Sequence, residues 1–252
     1  MSAGATRAGV PAAASGAGAN PWLIAVLVAF ASFMETVDST IANVVLPYIA
    51  GGMGVSEDEA SWVVTTYLVA NAVSLTASSF LARLLGCKTF FLTCLALFTA
   101  TSVLCAYASN LQSLLLFRIL QGLGGGGMVP VAQSILANSF PPAKRGQGFA
   151  LFGVAVVAAP AVGPTLGGWL ADNFSWGWCF LIYGPVGVLT FALIAFVLSE
   201  SEAAIAERRR LRAARRRIRS RRLRAGRDLS RRARDRARPR TRGRLVRLVL
   251  HR

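Results

Sequence analysis

The feature that most constrains this chain is a set of long segments without charged residues. Residues 60–82, 119–143, 146–171 and 173–199 are runs of 23, 25, 26 and 27 residues that hold no Asp, Glu, Lys or Arg. About 20 apolar residues cross the hydrocarbon core of a bilayer as a helix, so each run is long enough to span a membrane. Runs of this length and apolarity are not expected in the core of a soluble protein.

Two further segments complete the set of spans. Residues 89–117 are also uncharged, and the polar group 109–113 predicts a turn near the membrane surface. Residues 21–48 are apolar except for Glu35 and Asp38. The sequence therefore predicts an all-α integral membrane protein with six transmembrane helices, over residues 22–48, 61–82, 89–108, 112–138, 148–171 and 178–198.

The distribution of charge predicts the orientation, because Lys and Arg accumulate in cytoplasmic connections. The connection with Arg83 and Lys88 and the connection with Lys144 and Arg145 alternate with connections that hold no basic residue, at 57–59, Asn110 and 172–173. We therefore expect both termini in the cytoplasm and a multi-pass protein of the cell (inner) membrane. The Ala- and Gly-rich residues 1–20 are expected to be a disordered lead before the bundle of residues 21–199.

The net charge of +17 arises in the last part of the chain. Residues 1–207 hold 6 Lys and Arg against 9 Asp and Glu, a balance of −3, whereas residues 208–252 hold 22 Arg against 2 Asp, a balance of +20. The Arg-rich tail, 200–252, is predicted to be cytoplasmic and disordered. It is either a polybasic segment that binds anionic lipid or, non-specifically, nucleic acid, or a frameshifted translation of GC-rich DNA. The absence of Lys favours the frameshift, with its start near 208–218, and no specific nucleic-acid partner is expected.

The sequence shows no recognisable enzyme site. The glycine run 124–127 is not followed by the Gly-Lys-Ser/Thr of a phosphate loop, and no Ser/His/Asp set is present. Zinc-type Cys-x-x-Cys spacing is also absent. The cysteines are Cys87, Cys94, Cys105 and Cys179. We expect neither catalytic residues nor a cofactor nor a metal.

Three ionisable residues lie inside predicted spans, namely Glu35, Asp38 and Arg118. Each costs about 2.5–3.5 kcal/mol to insert, so each is a functional candidate. Helical rise places Asp38 about 15 Å and Arg118 about 9 Å below the same surface, close enough for their side chains to meet if the helices are neighbours. Burial favours the neutral acid whereas a guanidinium favours the carboxylate, so the pair could take up and release a proton. The alternative is a static ion pair that orders the bundle.

Three segments resemble motifs of one family. Residues 116–125, LFRILQGLGG, look like the fourth-helix R-x-x-Q-G-x-G motif; residues 163–169, GPTLGGW, resemble the fifth-helix antiporter motif; and residues 38–47, DSTIANVVLP, resemble a first-helix motif. Together they are similar to the major facilitator superfamily, and within it to the fourteen-helix drug:proton antiporters of the EmrB/QacA type, over residues 20–207. The glycines and prolines of these helices suit close helix packing, or a helix that flexes.

The resemblance implies export of lipophilic, often cationic compounds in exchange for protons, so the proton gradient supplies the energy. It implies that Asp38 is the acid of coupling and substrate recognition and that Arg118 is its basic partner. Glu35 lies outside the shared motif, and its proximity to Asp38 makes it a candidate for cation binding. The implied partners are membrane lipid, drug-like molecules and a periplasmic adaptor protein. The implied conformational motif comprises Gln121, Gly122, Pro160, Gly163, Pro164, Gly167 and Gly168.

The chain also departs from the family pattern. The second-to-third connection, expected as G-x-L-A-D-R-x-G-R-K, keeps Gly86 and Lys88 but has Arg83 at the acidic position and Cys87 at an Arg position, so a charge-relay gate there is in question. Tyr183 stands where an Asn is usual. The family has a second six-helix half, and a lone half has no partner to move against. We therefore expect a truncated protein that is inactive alone; the alternative is a natural six-helix membrane protein with a lipid- or nucleic-acid-binding tail.

Overall fold

The computed structural model describes residues 20–198 of the 252-residue chain. This part is helical, with no strand among its residues, and it contains six helices or helix pairs long and apolar enough to cross a membrane, which confirms the predicted fold class. Residues 1–19 of the predicted lead and the predicted tail, 200–252, lie outside the described residues, as does the frameshift hypothesis. The spans are Pro21–Val44, Glu57–Leu85, Cys87–Ala106, Leu111–Ser139, Pro142–Asn173 and Trp178–Val197.

Nine α-helices within residues 20–198 build these spans and their connections. A short 3₁₀ turn, Pro142–Lys144, precedes α7. The helices are α1 (Pro21–Val44), α2 (Leu46–Met53), α3 (Glu57–Leu85), α4 (Cys87–Ala106), α5 (Leu111–Gly125), α6 (Met128–Ser139), α7 (Arg145–Asn173), α8 (Trp178–Leu181) and α9 (Tyr183–Val197).

The first span ends earlier than the sequence predicted. The predicted helix 22–48 is wrong at its C-terminal end, because the chain breaks at Val45 and continues as the separate helix α2. Pro47 explains the break, since its ring cannot donate a hydrogen bond and would clash with the carbonyl of Asn43 in a continuous helix. At the other end, the Asn20 side chain accepts a hydrogen bond from the Trp22 amide and fixes the start of α1.

The second span is longer than predicted at both ends. Its N-terminus carries a capping box, in which the Ser56 hydroxyl accepts from the Glu59 amide and the Glu59 carboxylate accepts from the Ser56 amide. The predicted loop acids therefore lie in the first turn of α3, where the helix dipole favours negative charge. The helix ends at Leu85, and Gly86 alone separates it from α4.

The connection between α3 and α4 is a single glycine rather than a loop. Gly86 has φ +87° and ψ 146°, a backbone conformation that is nearly restricted to glycine. Arg83 consequently lies in the last turn of α3 and Lys88 in the first turn of α4, which corrects their predicted place in a connecting loop. The Lys88 ammonium donates to the Ala195 carbonyl in the last turn of α9 at 2.9 Å, so it caps that helix.

The fourth span is interrupted at its glycine run, whereas one helix over 112–138 was predicted. Helix α5 ends at Gly125 and α6 begins at Met128. The Leu123 carbonyl at this interruption accepts a hydrogen bond from the Ser74 hydroxyl of α3 at 2.7 Å. A Cβ on Gly124 would come within 2.8 Å of the α4 backbone, and one on Gly126 would overlap the Asn71 carbonyl of α3. The glycines therefore let three helix backbones approach closely.

The remaining spans surround this centre. Helix α1 packs along α7, and α5 lies between α3 and α4. Helix α7 begins three residues before its predicted start and continues through Pro160 and Pro164. The sixth span is divided into α8 and α9 at Ile182. The first and fourth spans are mostly buried, whereas α3 and α7 present broad exposed faces.

Candidate functional site

The centre of the described bundle holds an ion pair between Asp38 of α1 and Arg118 of α5. The Arg118 Nη1 atom lies 2.8 Å from the Asp38 Oδ2 atom, and both side chains are 0% exposed. The break at Val45 places Asp38 about 9 Å from the end of α1, and Arg118 lies about 10 Å from the start of α5. The two residues therefore lie at nearly the same depth, closer in height than the sequence had predicted.

Gln121 completes the arrangement around the ion pair. Its Oε1 accepts a second hydrogen bond from Arg118 Nη1 at 2.8 Å, while its Nε2 donates to Asp38 Oδ1 at 3.1 Å and to the Ser102 hydroxyl at 3.2 Å. The Ser102 hydroxyl in turn donates to the Phe180 carbonyl at 3.0 Å. Both oxygens of the Asp38 carboxylate are thus engaged, and Gln121 fixes the relative orientation of the two charges.

The Arg118 guanidinium is also held between two aromatic rings. Its Cζ atom lies 4.2 Å from the Tyr67 ring centroid and 5.4 Å from that of Phe180, within the range of cation–π attraction. Its Nε donates to the Val63 carbonyl at 3.3 Å. The Nη2 atom is buried and has no hydrogen-bond partner among residues 20–198. The Nη2 nitrogen thus makes no hydrogen bond within the described residues, while the guanidinium neutralises Asp38.

Glu35 occupies a separate position, one turn of α1 away from Asp38. Its side chain is 8% exposed, and its Oε1 accepts from the Asn71 Nδ2 atom at 2.8 Å and from the Tyr67 hydroxyl at 3.1 Å. Within the described residues, the single ion pair is that of Asp38 and Arg118. Glu35 is therefore an acid inside a span without a basic partner in this part of the chain.

Tyr67 and Asn71 were not predicted from the sequence. They lie four residues apart on α3, so they share one helix face. The sequence predicts an uninterrupted apolar run for their segment, since it carries no charge. Two hydrogen-bonding side chains at helical spacing were the available signal, but which face of α3 turns inward depends on packing.

Two glycines bring α5 close to this polar centre. A Cβ on Gly122 would overlap the Tyr67 carbonyl, and a Cβ on Gly125 would lie 2.8 Å from the Tyr67 hydroxyl oxygen and 3.1 Å from the Glu35 Cγ. Any larger residue would move α5 away from α3. Gly122, a predicted motif residue, thus contributes to the position of Arg118 through close helix contact.

The fifth-helix motif divides between two faces of α7. A Cβ on Gly163 would overlap the Thr40 hydroxyl of α1, and one on Gly167 would lie 3.2 Å from an Ile41 methyl. These glycines support the packing of α7 on α1. In contrast, a Cβ on Gly168 would have no neighbouring atom within 4 Å. Pro160 and Pro164 lie on the exposed face; their flexing role stays a prediction.

The remaining predicted residues lie away from the ion pair. Arg83 donates from Nε to the Ser79 carbonyl at 3.1 Å within its own helix, and Lys88 caps α9. The described residues contain no group of three or more His, Cys, Asp or Glu placed to hold a metal ion. A cavity of about 590 Å³ lies between α4 and α9, and no predicted site residue lines it.

Comparison with curated proteins reveals close relatives among exporters. The chain is 41% identical over 183 residues to the multidrug export protein EmrB of Haemophilus influenzae, covering 73% of this chain and 36% of that protein. It is 40% identical over 194 residues to EmrB of Escherichia coli K12, covering 77% and 38%. It is 48% identical over 160 residues to the fatty acid resistance protein FarB of Neisseria gonorrhoeae, covering 64% and 32%. The chain thus spans about a third of the length of these relatives.

Solved structures show the same fold at lower identity. A bacterial homologue of the human lysosomal transporter Spinster, inward-facing and unoccupied, matches with a TM-score of 0.62 and 20% identity, over 73% of this chain and 44% of that chain. A peptide transporter in complex with sulfate matches with a TM-score of 0.62 and 19% identity, over 68% and 37%. The family model of the Major Facilitator Superfamily matches residues 28–239. This multi-pass membrane protein belongs to the Major Facilitator Superfamily.

Proposed function

We propose that this chain supplies the N-terminal six-helix half of a proton-coupled multidrug exporter of the inner membrane. The observation that carries the proposal is the buried network of Asp38, Arg118 and Gln121, since charged groups inside membrane spans mark ion and substrate pathways. The names of the relatives, which are exporters of drugs or confer resistance to fatty acids, support a lipophilic substrate.

In the proposed mechanism a proton and a cationic substrate compete for acids in the first span. A proton on Asp38 would remove the charge that Arg118 neutralises, leaving a buried guanidinium without its counter-ion. That state favours a different arrangement of α1 and α5, because one member of a buried ion pair is costly to leave unpaired. Asp38 and Glu35 would attract a lipophilic cation once the first span is open to it.

The proposal includes the arrangement of the whole exporter. Both ends of the six-helix half lie in the cytoplasm, and the exposed face of α7, with Pro160 and Pro164, is available to a second half. Rocking of the two halves around a midplane site then gives alternating access. The half alone does not transport, and a periplasmic adaptor protein is a further partner of the whole exporter.

A chimera tests this function. Residues 20–198 replace the matched segment of the Escherichia coli EmrB protein, and the chimera is expressed in a drug-sensitive Escherichia coli strain. We expect resistance to lipophilic cations from the chimera and none from the 252-residue chain alone. Resistance should fall to the background level with Asp38→Asn or Arg118→Ala and with a protonophore.

The matched control is Asp58→Asn, since Asp58 is an exposed acid in the first turn of α3. Membrane levels of all variants are compared by immunoblot. Full resistance with both Asp38→Asn and Arg118→Ala would contradict the proposed coupling. Resistance that persists after the protonophore would contradict proton coupling in particular.

The alternative, a natural six-helix protein with a lipid- or nucleic-acid-binding tail, rests on residues 200–252, which lie outside the described residues. Deletion of the tail from the 252-residue chain discriminates between the two, since a loss of phenotype on deletion would favour the alternative.

A further inference from the structure

We propose that Glu35, Tyr67 and Asn71 form a second proton site in the first half of the exporter, and that a lipophilic monovalent cation displaces this proton. Glu35 carries the proton, Asn71 and Tyr67 position its carboxyl group, and Tyr67 links it to the Asp38–Arg118 pair. The inference deepens the proposed function and rests on it, because it names the group that exchanges a proton for the substrate.

The first step is a count of charges inside the described spans. Asp38 and Arg118 neutralise each other at 2.8 Å, so the pair contributes no net charge. Glu35 is left as the one buried acid without a basic partner among residues 20–198. An unpaired carboxylate is costly in hydrocarbon. A proton is the smallest ligand that removes this cost.

Hydrogen bonds from three residues hold the carboxyl group of Glu35 in place. Oε1 accepts two of them, from Asn71 and Tyr67. Oε2 has the Thr36 hydroxyl 3.4 Å away, and that hydroxyl also lies 3.0 Å from the Ser32 carbonyl. A hydroxyl has one hydrogen to donate. The contact with Ser32 is the shorter one, so the Thr36 hydroxyl donates weakly to Oε2, and this is the oxygen on which the proposal places the proton.

The side of Glu35 that faces α5 leaves no space for a bulky cation. Gly125 closes the site on the α5 side, where even a methyl group would come within 2.8 Å of the Tyr67 hydroxyl and 3.3 Å of the Asn71 amide. A bulky cation reaches Glu35 only after α5 moves away from α3. In the proposal, the arrangement described is the protonated, substrate-free state of this site.

Tyr67 joins the two acids physically. Its hydroxyl donates to Glu35 at 3.1 Å, and its ring lies against the Arg118 guanidinium, 4.2 Å from the centroid. Movement of Tyr67 when Glu35 loses its proton therefore changes the contact that supports Arg118. The charged or titratable groups facing the site are Asp38 on α1, Tyr67 on α3 and Arg118 on α5. Helix α6 carries no charged side chain, and α4 and α7 carry charged side chains only at their ends.

The test measures proton release when a lipophilic cation binds. The full 252-residue chain, in lipid nanodiscs and weakly buffered solution, is titrated with tetraphenylphosphonium while a pH indicator records protons. We expect about one proton released per cation bound by the wild-type chain. Glu35→Gln should release none and bind about tenfold more weakly or worse, because it loses one partner of a buried charge pair. Asp58→Asn is the matched control and should behave like the wild type.

A second variant and a second measurement keep the outcome decisive. Tyr67→Phe retains the ring beside Arg118 and removes only the hydroxyl, so it should alter proton release more than thermal stability. Infrared difference spectra should show loss of the carboxylic acid carbonyl band on cation binding in the wild type but not in Glu35→Gln. Folding of each variant is checked by circular dichroism.

Three results would overturn the inference: proton release that is unchanged in folded Glu35→Gln, cation binding by the wild-type chain without proton release, and no cation binding at all. None of them decides the proposed function, which depends on resistance conferred by the chimera. Conversely, a chimera without resistance would leave a measured proton exchange at Glu35 intact and would instead refute its use in export.

Discussion

Asp38 and Arg118 face each other across 2.8 Å with neither side chain exposed, and the Gln121 amide contacts both. An ion pair so enclosed holds two helices that are far apart in the chain. It also means that neither charge can be changed without consequence for the other.

Removal of one partner should destabilise the bundle more than removal of both. Asp38→Asn or Arg118→Met alone should cost about 3–5 kcal/mol of unfolding free energy, since each leaves a buried charge unpaired. The double variant Asp38→Asn/Arg118→Met should recover much of this loss. Unfolding of the detergent-solubilised chain, followed by circular dichroism, measures the double-mutant cycle. Additive effects of the two substitutions would contradict a coupled pair.

The glycine run makes a second prediction. Gly126→Ala should destabilise the bundle by about 1–3 kcal/mol, because the new Cβ overlaps the Asn71 carbonyl and forces α3 away from the fourth span. Gly168→Ala is the matched control, since a Cβ there has no neighbour within 4 Å and the residue lies inside helix α7. The control should be neutral or stabilise by about 0.4–1 kcal/mol. Thermal unfolding in the same detergent compares the two, and equal effects would contradict the close approach.

The one-residue connection between α3 and α4 makes a third. Gly86→Ala should cost about 1–3 kcal/mol, because the backbone at this position, with φ +87°, excludes side chains. Gly51→Ala, in α2 with open space around it, is the control. Thermal unfolding again gives the comparison, and an unaffected Gly86→Ala variant would mean that the connection has another conformation in the membrane.

Lys88 offers a fourth prediction. Lys88→Met should loosen the end of α9 by about 0.5–1.5 kcal/mol, because the Ala195 carbonyl loses its donor. Amide hydrogen exchange of residues 190–198 should become faster. Lys144→Met removes an exposed positive charge at another connection and should leave this exchange unchanged. Equal protection in both variants would show that Lys88 does not cap the helix.

The fifth prediction concerns pH. The Tyr48 hydroxyl of α2 donates to the Asp172 carboxylate, and this hydrogen bond, with the negative charge, raises the pKa of Tyr48 above its usual value of about 10. Because the folded pKa is the higher one, the contribution to stability is present below about pH 10 and is lost as the pH rises through the raised pKa. Tyrosinate absorbance of the wild type minus Tyr48→Phe should titrate above pH 10, and lower in an Asp172→Asn background. Identical midpoints would contradict the contact.

The spans and the ion pair were predictable because each leaves a mark on the composition of the chain. A run of more than 20 uncharged residues has few alternatives to a transmembrane helix, and a charge inside such a run needs a partner. Depth along two helices then allowed Asp38 and Arg118 to meet, on the condition that the first and fourth spans are neighbours. The interruption of the first span also had a signal in the sequence, since Pro47 lies within the segment 22–48 that is predicted as one helix.

The surroundings of Glu35 could not be predicted in the same way. Tyr67 and Asn71 are ordinary residues of an apolar span until α3 turns their face toward α1. The orientation of α3 follows from its contacts with Gly122 and Gly125, which allow a close approach because glycine has no side chain. Packing between helices, rather than any local pattern, therefore creates the second polar site.

Arg118 follows Asp38 by 80 positions, so the two members of the ion pair are synthesised at different times. At a synthesis rate of about 5–20 residues per second, Asp38 is incorporated roughly 4–16 seconds before Arg118. Throughout that interval the first helix has a carboxyl group with no counter-ion, which must be protonated or kept in contact with water. Insertion of the first helix therefore depends on that proton or on that water until the fourth span supplies Arg118.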